Sequence, residues 1–349
     1  MSLNSVTHSA KGIHGVCSIG NLSYHLIILT AGRLKKRVLA VMKLRAFVCF
    51  NIILTIVACN PASQDVKSVD SQNMEEMYDS TIVVEVPYFK ILYSVNGGHY
   101  LDFMDSLGRA LSDSLQYRCD EYVLVHSNAW LLDSLRRQDY YIRQESGDFV
   151  GDQKQLVVFR PGDSLRIPSK EQSDDILGQL SRICIDVNIP EYSLRIYDRD
   201  SVLHECLVRV GKNERKFLSL AGHEVDLRTP IGEGTIVRIA RDPWYINPVD
   251  GHRYRSTRRD DGRYTALPRI PFLEPEIDHR RSGALIHPTT NLSTLGKAIS
   301  NGCVGLSEAD AWTVYYHAPL GTCVRFRYEL AVRDSMGKVV RLRDIYSME

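Results

Sequence analysis

Hydrophobic and polar positions change their period several times along this chain. Residues 81–93 (TIVVEVPYFKILY) mix β-branched and aromatic residues in strand fashion. In residues 100–115 the apolar positions fall at Leu101, Met104, Leu107, Leu111 and Leu115, the stripe of an amphipathic helix. Residues 121–126 predict a strand, 129–138 a short helix and 154–160 another strand, closed by the turn Pro161-Gly162-Asp163. The polar run SKEQSDD then marks a boundary, and residues 169–181 are expected as a linker. From Arg182 the pattern turns to β: ICIDVNI, then SLRIYDRDSVLHECLVRVG with a hairpin turn at 198–201, then a strand over 235–240. Residues 241–282 carry no clear period and predict a long irregular stretch. Stretches of that length are usually lids or binding loops. After it come a strand over 284–286, a helix opened by Ser307-Glu308-Ala309-Asp310 as a capping box, and a last strand over 322–328.

Charge separates the beginning of the chain from the rest. The 349 residues carry 43 Lys+Arg against 42 Asp+Glu, yet no acid precedes Asp65, while seven cations do. Residues 65–349 therefore hold 36 cations against 42 anions, which gives no basic face for nucleic acid. Lys43 and Arg45 precede an uncharged run over 46–58 that is the length of a signal-peptide core, and short of the roughly 18 apolar residues a bilayer span needs. The run ends Ile56-Val57-Ala58-Cys59, which resembles the lipobox of bacterial lipoproteins. That resemblance implies cleavage before Cys59, lipidation of its thiol, and a periplasmic protein anchored to a membrane, the outer membrane of a Gram-negative cell being favoured. The expected organisation is then an upstream extension and signal over 1–58, a lipidated linker over 59–80, a small α/β domain over 81–168, the linker 169–181, a β-rich domain over 182–330 and a C-terminal extension over 331–349. Residues 161–168 also resemble the closing turn of a LysM peptidoglycan-binding module, an alternative reading of the small domain as a wall-binding unit.

Five cysteines follow Cys59: Cys119, Cys184, Cys206, Cys303 and Cys323. An odd number in an oxidising compartment leaves at least one thiol unpaired. The chemistry gathers around Cys303. His287 leaves a strand end sixteen residues before it, and the run Ser300-Asn301-Gly302-Cys303 brings a thiol behind a glycine. A thiol is mostly protonated at neutral pH and needs a base to become the nucleophile; an imidazole takes that proton and later returns it to a leaving amine. Gly302 permits backbone angles that turn successive N–H groups toward an oxyanion. On the residues alone, a buried inert thiol and a Cys303–Cys323 disulfide stay open as alternatives. No CxxC or HxxxH spacing suggests zinc, and neither a metal nor an organic cofactor is expected.

Over residues 182–328 the motifs together resemble the L,D-transpeptidase catalytic domain. Thr229-Pro230-Ile231-Gly232 matches its Thr-Pro-x-Gly turn, and Ile286-His287-Pro288-Thr289 its Ile-His-Gly-Thr strand end. Ser300-Asn301-Gly302-Cys303-Val304-Gly305-Leu306 matches Ser-His-Gly-Cys-Val-Arg-Leu, and Gly321-Thr322-Cys323-Val324 its Gly-Thr-x-Val strand. The resemblance implies a mainly β catalytic domain of packed mixed sheets with a short helix after the catalytic Cys. It implies Cys303 as acyl-accepting nucleophile, His287 as base and acid, the Pro288 carbonyl as the group that orients the imidazole, and an oxyanion hole around Gly302. Asn301 stands where a second His is usual and Gly305 where an Arg is usual. A substrate-carboxylate or structural contact is then missing unless an arginine of the 241–282 stretch provides it, a stretch whose nine arginines and seven acids read alternatively as a solvated, salt-bridged loop; Arg280, Arg281, Tyr245 and Ser300 are the candidate substrate contacts. The implied activity is peptidoglycan 3–3 cross-linking on stem peptides through a Cys thioester. Carboxypeptidase or D-amino-acid exchange at the same site, or a catalytically decayed peptidoglycan-binding lipoprotein, are the alternatives. Oligomeric state is not legible.

Overall fold

The computed structural model describes residues 87–334 and 336–348. The expected signal, Cys59, the linker after it and the first residues of the strand expected over 81–93 lie outside the described residues. Among the described residues no helix is long and apolar enough to cross a membrane.

The centre of the molecule is one eight-stranded mixed sheet. In chain order its strands are β1 (Ile183–Asn188), β2 (Ser193–Asp198), β3 (Ser201–Leu207), β4 (Gly232–Ala240), β5 (Phe272–Ile277), β6 (Ile286–Pro288), β7 (Val304–Leu306) and β8 (Cys323–Arg327). Their spatial order is β7-β6-β5-β4-β8-β1-β2-β3. Two pairs are parallel, β6 with β7 and β8 with β1; the remaining ladders are antiparallel. Strands β2 and β3 form the expected hairpin, with Arg199 at φ 55° in the turn. The inward side chains Ile185, Val187, Leu194, Ile196, Val304, Val324 and Phe326 are all essentially inaccessible to water. Cys184 of β1 lies opposite Cys323 of β8 in register, and the two form a disulfide with Cα atoms 4.5 Å apart. Cys323 is thereby unavailable to Cys303, which keeps a free thiol.

The sheet nearly closes on itself. The chain leaves edge strand β3 at Leu207 and meets the opposite edge two residues later. There Arg209 donates its N–H to Gly305 O and accepts from Gly305 N–H, both at 2.9 Å. The next two residues, Val210–Gly211, pair in parallel with Ala298–Ser300.

Among the described residues five helices precede the sheet: α1 (Gly97–Leu115), α2 (Glu121–Ser127), α3 (Ala129–Arg136), α4 (Tyr140–Glu145) and α5 (Lys170–Leu180); α6 (Glu308–His317) follows β7. The α1 stripe buries Leu101, Met104, Leu107 and Leu111. Two expectations change. Residues 121–126 are helix α2, not a strand: Asp120 caps it by accepting from the N–H groups of Tyr122 and Val123 at 3.1 Å. A short buried apolar run such as Tyr122-Val123-Leu124-Val125 has no period that separates helix from strand, so the cap decides. Residues 169–181, expected as a linker, contain α5, whose Ser169 and Gln172 complete a capping box. Ser307 caps α6 through Asp310 N–H at 3.0 Å, but the Asp310 carboxylate takes the Ser307 hydroxyl instead of the cap's own N–H.

Helices α1–α4 pack on α6 through aromatic rings and a buried polar network. Tyr100, Tyr122, Trp312, Tyr315 and Tyr316 form one cluster, with a Tyr100–Tyr316 hydroxyl contact of 2.7 Å and a bond from Tyr315 to Glu121 of 2.6 Å. The N-termini of α4 and α6 exchange carboxylates: Glu308 accepts from Tyr140 N–H at 3.0 Å, and Asp139 from Ala309 N–H at 2.9 Å. Burial, with Glu308 next to it, pushes the Asp139 carboxyl up to about 6. Arg259 reaches in from the stretch after β4 and donates to Glu308 at 2.7 Å, Gln153 at 3.0 Å and Thr265 at 2.7 Å.

The Arg259 and Glu308 side chains are 0% and 1% exposed. Removing one partner of such a pair strands the other charge in a dry site, which costs about 3–5 kcal/mol. Glu308→Ala is therefore expected to lower unfolding free energy by that amount in urea titration, well beyond Arg109→Ala in the exposed Asp105 pair.

Candidate active site

Strand alternation sets the site. Strands β6 and β7 run parallel with Ile286 opposite Val304 and His287 opposite Gly305. Ile286 and Val304 point into the core, so their neighbours His287 and Cys303 turn to the other face. Both line a cleft of about 1150 Å³. Its walls include residues 218–231, 242–248 and the ends of β6 and β7. The hairpin Arg215–Leu218/His223–Asp226 leans on the opposite wall, with Ser219 N–H bonding Val249 O at 3.3 Å and Leu220 N–H bonding Pro248 O at 3.2 Å.

The turn that carries Cys303 is held from two sides. Gly302 sits at φ 103°, a region that a side chain would strain. Its carbonyl accepts the Thr229 hydroxyl at 3.1 Å, and that oxygen accepts Gly211 N–H at 2.8 Å. Thr229 of the Thr-Pro turn thus ties three segments together. Tyr346, from the C-terminal extension, completes the tie: it accepts Thr229 N–H at 3.0 Å and donates to Gly211 O at 2.7 Å. Ser300 is buried and donates to Cys303 O at 2.6 Å. Its hydroxyl therefore fixes the turn and is not free for a substrate. Among the described residues the Gly302 and Cys303 N–H groups meet no acceptor, so both are available to an oxyanion.

His287 Nδ1–H donates to Pro288 O at 2.9 Å, which leaves Nε2 as the unprotonated nitrogen. Phe272 packs against the ring at 4.8 Å between centroids, and Tyr245 packs edge-on against Phe272. The Cys303 sulfur accepts Leu285 N–H at 3.4 Å. No thiol–imidazole hydrogen bond closes in this structure, and such bonds often tighten only around substrate. Burial, with Arg209 adding to it, pushes the imidazole down to about 4 against the opposing Pro288 bond. Burial pushes the thiol up, against Leu285 N–H and Arg209. The resting pair is neutral, a thiol beside an imidazole with a free lone pair.

The remaining candidates divide. Asn301 lines the cleft, as does Tyr245, although the Tyr245 hydroxyl is spent on Pro268 O at 3.1 Å. Arg280 and Arg281 are exposed and do not line the cleft; Arg281 pairs with Glu274 at 2.8 Å. The stretch 241–282 is not irregular. It holds the hairpins Tyr245–Ile246/Arg253–Tyr254 and Ser256–Arg258/Tyr264–Ala266, and then β5. Three of its arginines face the helices instead: Arg241 bonds Glu121 at 2.9 Å, Arg259 bonds Glu308, and Arg269 bonds Asp102 at 2.9 Å. The guanidinium beside the site is Arg209, which the sequence reading missed; the only signal was the empty side-chain position at Gly305. Tyr346 was missed as well, since nothing in its neighbours marks it. Away from the cleft, His204, Cys206 and Asp310 bring three ligand-type atoms within 4.8 Å of one another. His204 Nε2 and Asp310 there already satisfy each other at 2.9 Å.

The His287 shift has a consequence for stability. Free imidazole protonates near 6.5, so between pH 6.5 and 4 the unfolded chain binds a proton that the folded chain refuses. His287 therefore takes stability away as pH drops through that window, while Asp139, held at about 6, and Glu121, held at about 7, act in the opposite sense. The gap in urea midpoint between wild type and His287→Gln is expected to shrink from pH 7 to 4.5, because only the wild type loses the His287 share; His317, also held at about 4, contributes to both.

Residues 182–326 match the model of the YkuD family, described as the L,D-transpeptidase catalytic domain. Similar solved structures include an L,D-transpeptidase from Mycobacterium smegmatis, 15% identical, covering 42% of this chain and 58% of that one at a TM-score of 0.31. One from Xylanimonas cellulosilytica is 15% identical and covers 54% and 79% at 0.31. The catalytic domain of the E. faecium L,D-transpeptidase is 17% identical and covers 42% and 98% at 0.27. The chain thus spans less than two thirds of the mycobacterial protein. No curated protein matches the sequence. The match to the YkuD, L,D-transpeptidase, catalytic-domain model takes in His287 and Cys303 and covers less than half of the chain.

Proposed function

We propose that this protein is an L,D-transpeptidase acting on peptidoglycan stem peptides through a thioester on Cys303. One observation carries the reading: Cys303 and His287 leave adjacent parallel strands on the same face of a peptide-sized cleft, with the His287 Nδ1–H spent on Pro288 O and Nε2 free. The steps follow from that tautomer. Nε2 takes the thiol proton as Sγ adds to the carbonyl that joins a diamino acid such as meso-diaminopimelate to a terminal D-Ala. The developing oxyanion meets the N–H groups around Gly302 and Cys303, a kind of stabilisation worth several kcal/mol. The C–N bond breaks, His287 returns the proton to the departing D-Ala amine, and a thioester remains. The amine of a neighbouring stem then attacks the thioester, the C–S bond breaks, and a 3–3 cross-link forms while Cys303 regains its proton. A base is indispensable here because the thiol is pushed up, so little thiolate exists before substrate arrives.

Incubation with a carbapenem, an acylating inhibitor of the family, is expected to add its mass to the wild type and not to Cys303→Ala. A folded wild type that gains no mass would favour a decayed binding protein. His287→Ala should acylate roughly 10²–10⁴-fold more slowly, the share a general base supplies; unchanged turnover would remove His287 from the mechanism.

The lipobox-like run before Cys59 and the neighbouring cations support a lipid-anchored, periplasmic location. Cys59→Ala should release the protein from washed membranes. Retention of the variant on the membrane would end that reading.

A further inference from the structure

We propose that Arg209 is the anion-binding residue of this cleft and holds a carboxylate of the peptide acyl donor beside Cys303. This inference deepens the acyl-transfer reading and rests on it. The geometry begins with the closure of the sheet. Arg209 is bonded backbone to backbone with Gly305, so its side chain leaves the chain next to the position opposite His287. Gly305 has no side chain to resist it: a Cβ there would stand 2.5 Å from Arg209 Nε and 2.7 Å from its Cγ. The guanidinium therefore lies over Gly305, where the related motif carries its arginine, and it lines the cleft with Cys303 and His287.

Arg209 has been left without a counter-ion. Its Nε is buried and meets no acceptor, and its one side-chain bond is a long contact to Thr294 Oγ1 at 3.5 Å. The other two arginines of the cleft wall are committed: Arg228 is forked onto Asp226, and Arg238 is paired with Glu274. No carboxylate of the described residues pairs with Arg209. A desolvated, uncompensated guanidinium is costly. Its retention beside a nucleophile is explained by an anion that arrives with the substrate, and a guanidinium's planar fork matches a carboxylate. The donor peptide offers two such groups, the terminal D-Ala carboxylate next to the scissile bond and the free carboxylate at the far end of the diamino acid's side chain. Both present the same chemistry to Arg209.

The test uses the full chain and three tetrapeptide donors: one with both carboxylates free, one with the terminal carboxyl amidated, and one with the diamino-acid carboxyl amidated. Release of the terminal residue is followed in wild type, Arg209→Gln and Arg209→Lys. Arg209→Gln is expected to lose about 10- to 100-fold in kcat/KM on the free donor, chiefly through KM, the factor carried by a hydrogen bond to a charged group. Arg209→Lys should recover part of that loss. One amidated donor should be equally poor for wild type and Arg209→Gln, and this identifies the carboxylate. Gly305→Ala, which displaces the guanidinium, should repeat the loss and add nothing to Arg209→Gln. A purely structural arginine would lower the melting temperature and depress all three donors alike; that result, or no loss at all, overturns the proposal. If no protein releases D-Ala, the acyl-transfer reading falls by itself, and alkylation still decides on Arg209. The ratio of iodoacetate to iodoacetamide modification at Cys303, read by peptide mass, should drop about tenfold in Arg209→Gln. An unchanged ratio overturns the anion site.

Discussion

The pair of hydrogen bonds between Arg209 and Gly305 is the constraint on which the site depends. It joins the two edges of the eight-stranded sheet, so that a segment from the β hairpin at one end meets the strand that follows Cys303 at the other. A sheet edge left open is a row of unpaired backbone groups. Here the closing residues also deliver a guanidinium to the reaction centre. Because the contact is backbone to backbone, it fixes the position of Arg209 more firmly than a side-chain contact would. Gly305 is required for it, since any side chain at that place would occupy the space of the arginine.

Around this closure the cleft is pinned by short polar links and not by apolar packing alone. Thr229, Gly211, Gly302 and Tyr346 form one chain of hydrogen bonds that holds the Thr-Pro turn, the Gly-Cys turn and the C-terminal segment together. All four residues are buried, and each polar group that links one to the next is paired, which is the condition under which a polar network rigidifies a site. Cys303 therefore sits on a turn whose backbone has little freedom.

The helices contribute at a distance. Arg241, Arg259 and Arg269, all from the stretch after β4, reach back to carboxylates around α1, α2 and α6. The stretch that forms one wall of the cleft is thus bolted to the helical layer, and the buried Arg259–Glu308 pair is the deepest bolt. Three of the nine arginines of that stretch thus serve attachment within the chain.

Much of this was legible in the residues themselves. The β hairpin and the α1 stripe follow from local periodicity, whereas the Thr-Pro turn and the choice of His287 and Cys303 rest on the resemblance of their motifs to a known family. Helix α2 was misread because four consecutive apolar residues carry no period, and only the Asp120 cap distinguishes the two outcomes. The pairing of Cys184 with Cys323, the role of Tyr346 and the identity of the cleft's guanidinium depended on which distant strands became neighbours. Cys184 and Cys323 are 139 residues apart and meet only because β1 and β8 pair in parallel. Arg209 and Gly305 are nearly a hundred residues apart and meet only because the sheet curls closed. Local pattern determines which elements form and which residues can do chemistry; register between distant elements, a property of the packed whole, decides which charge finally stands beside the thiol.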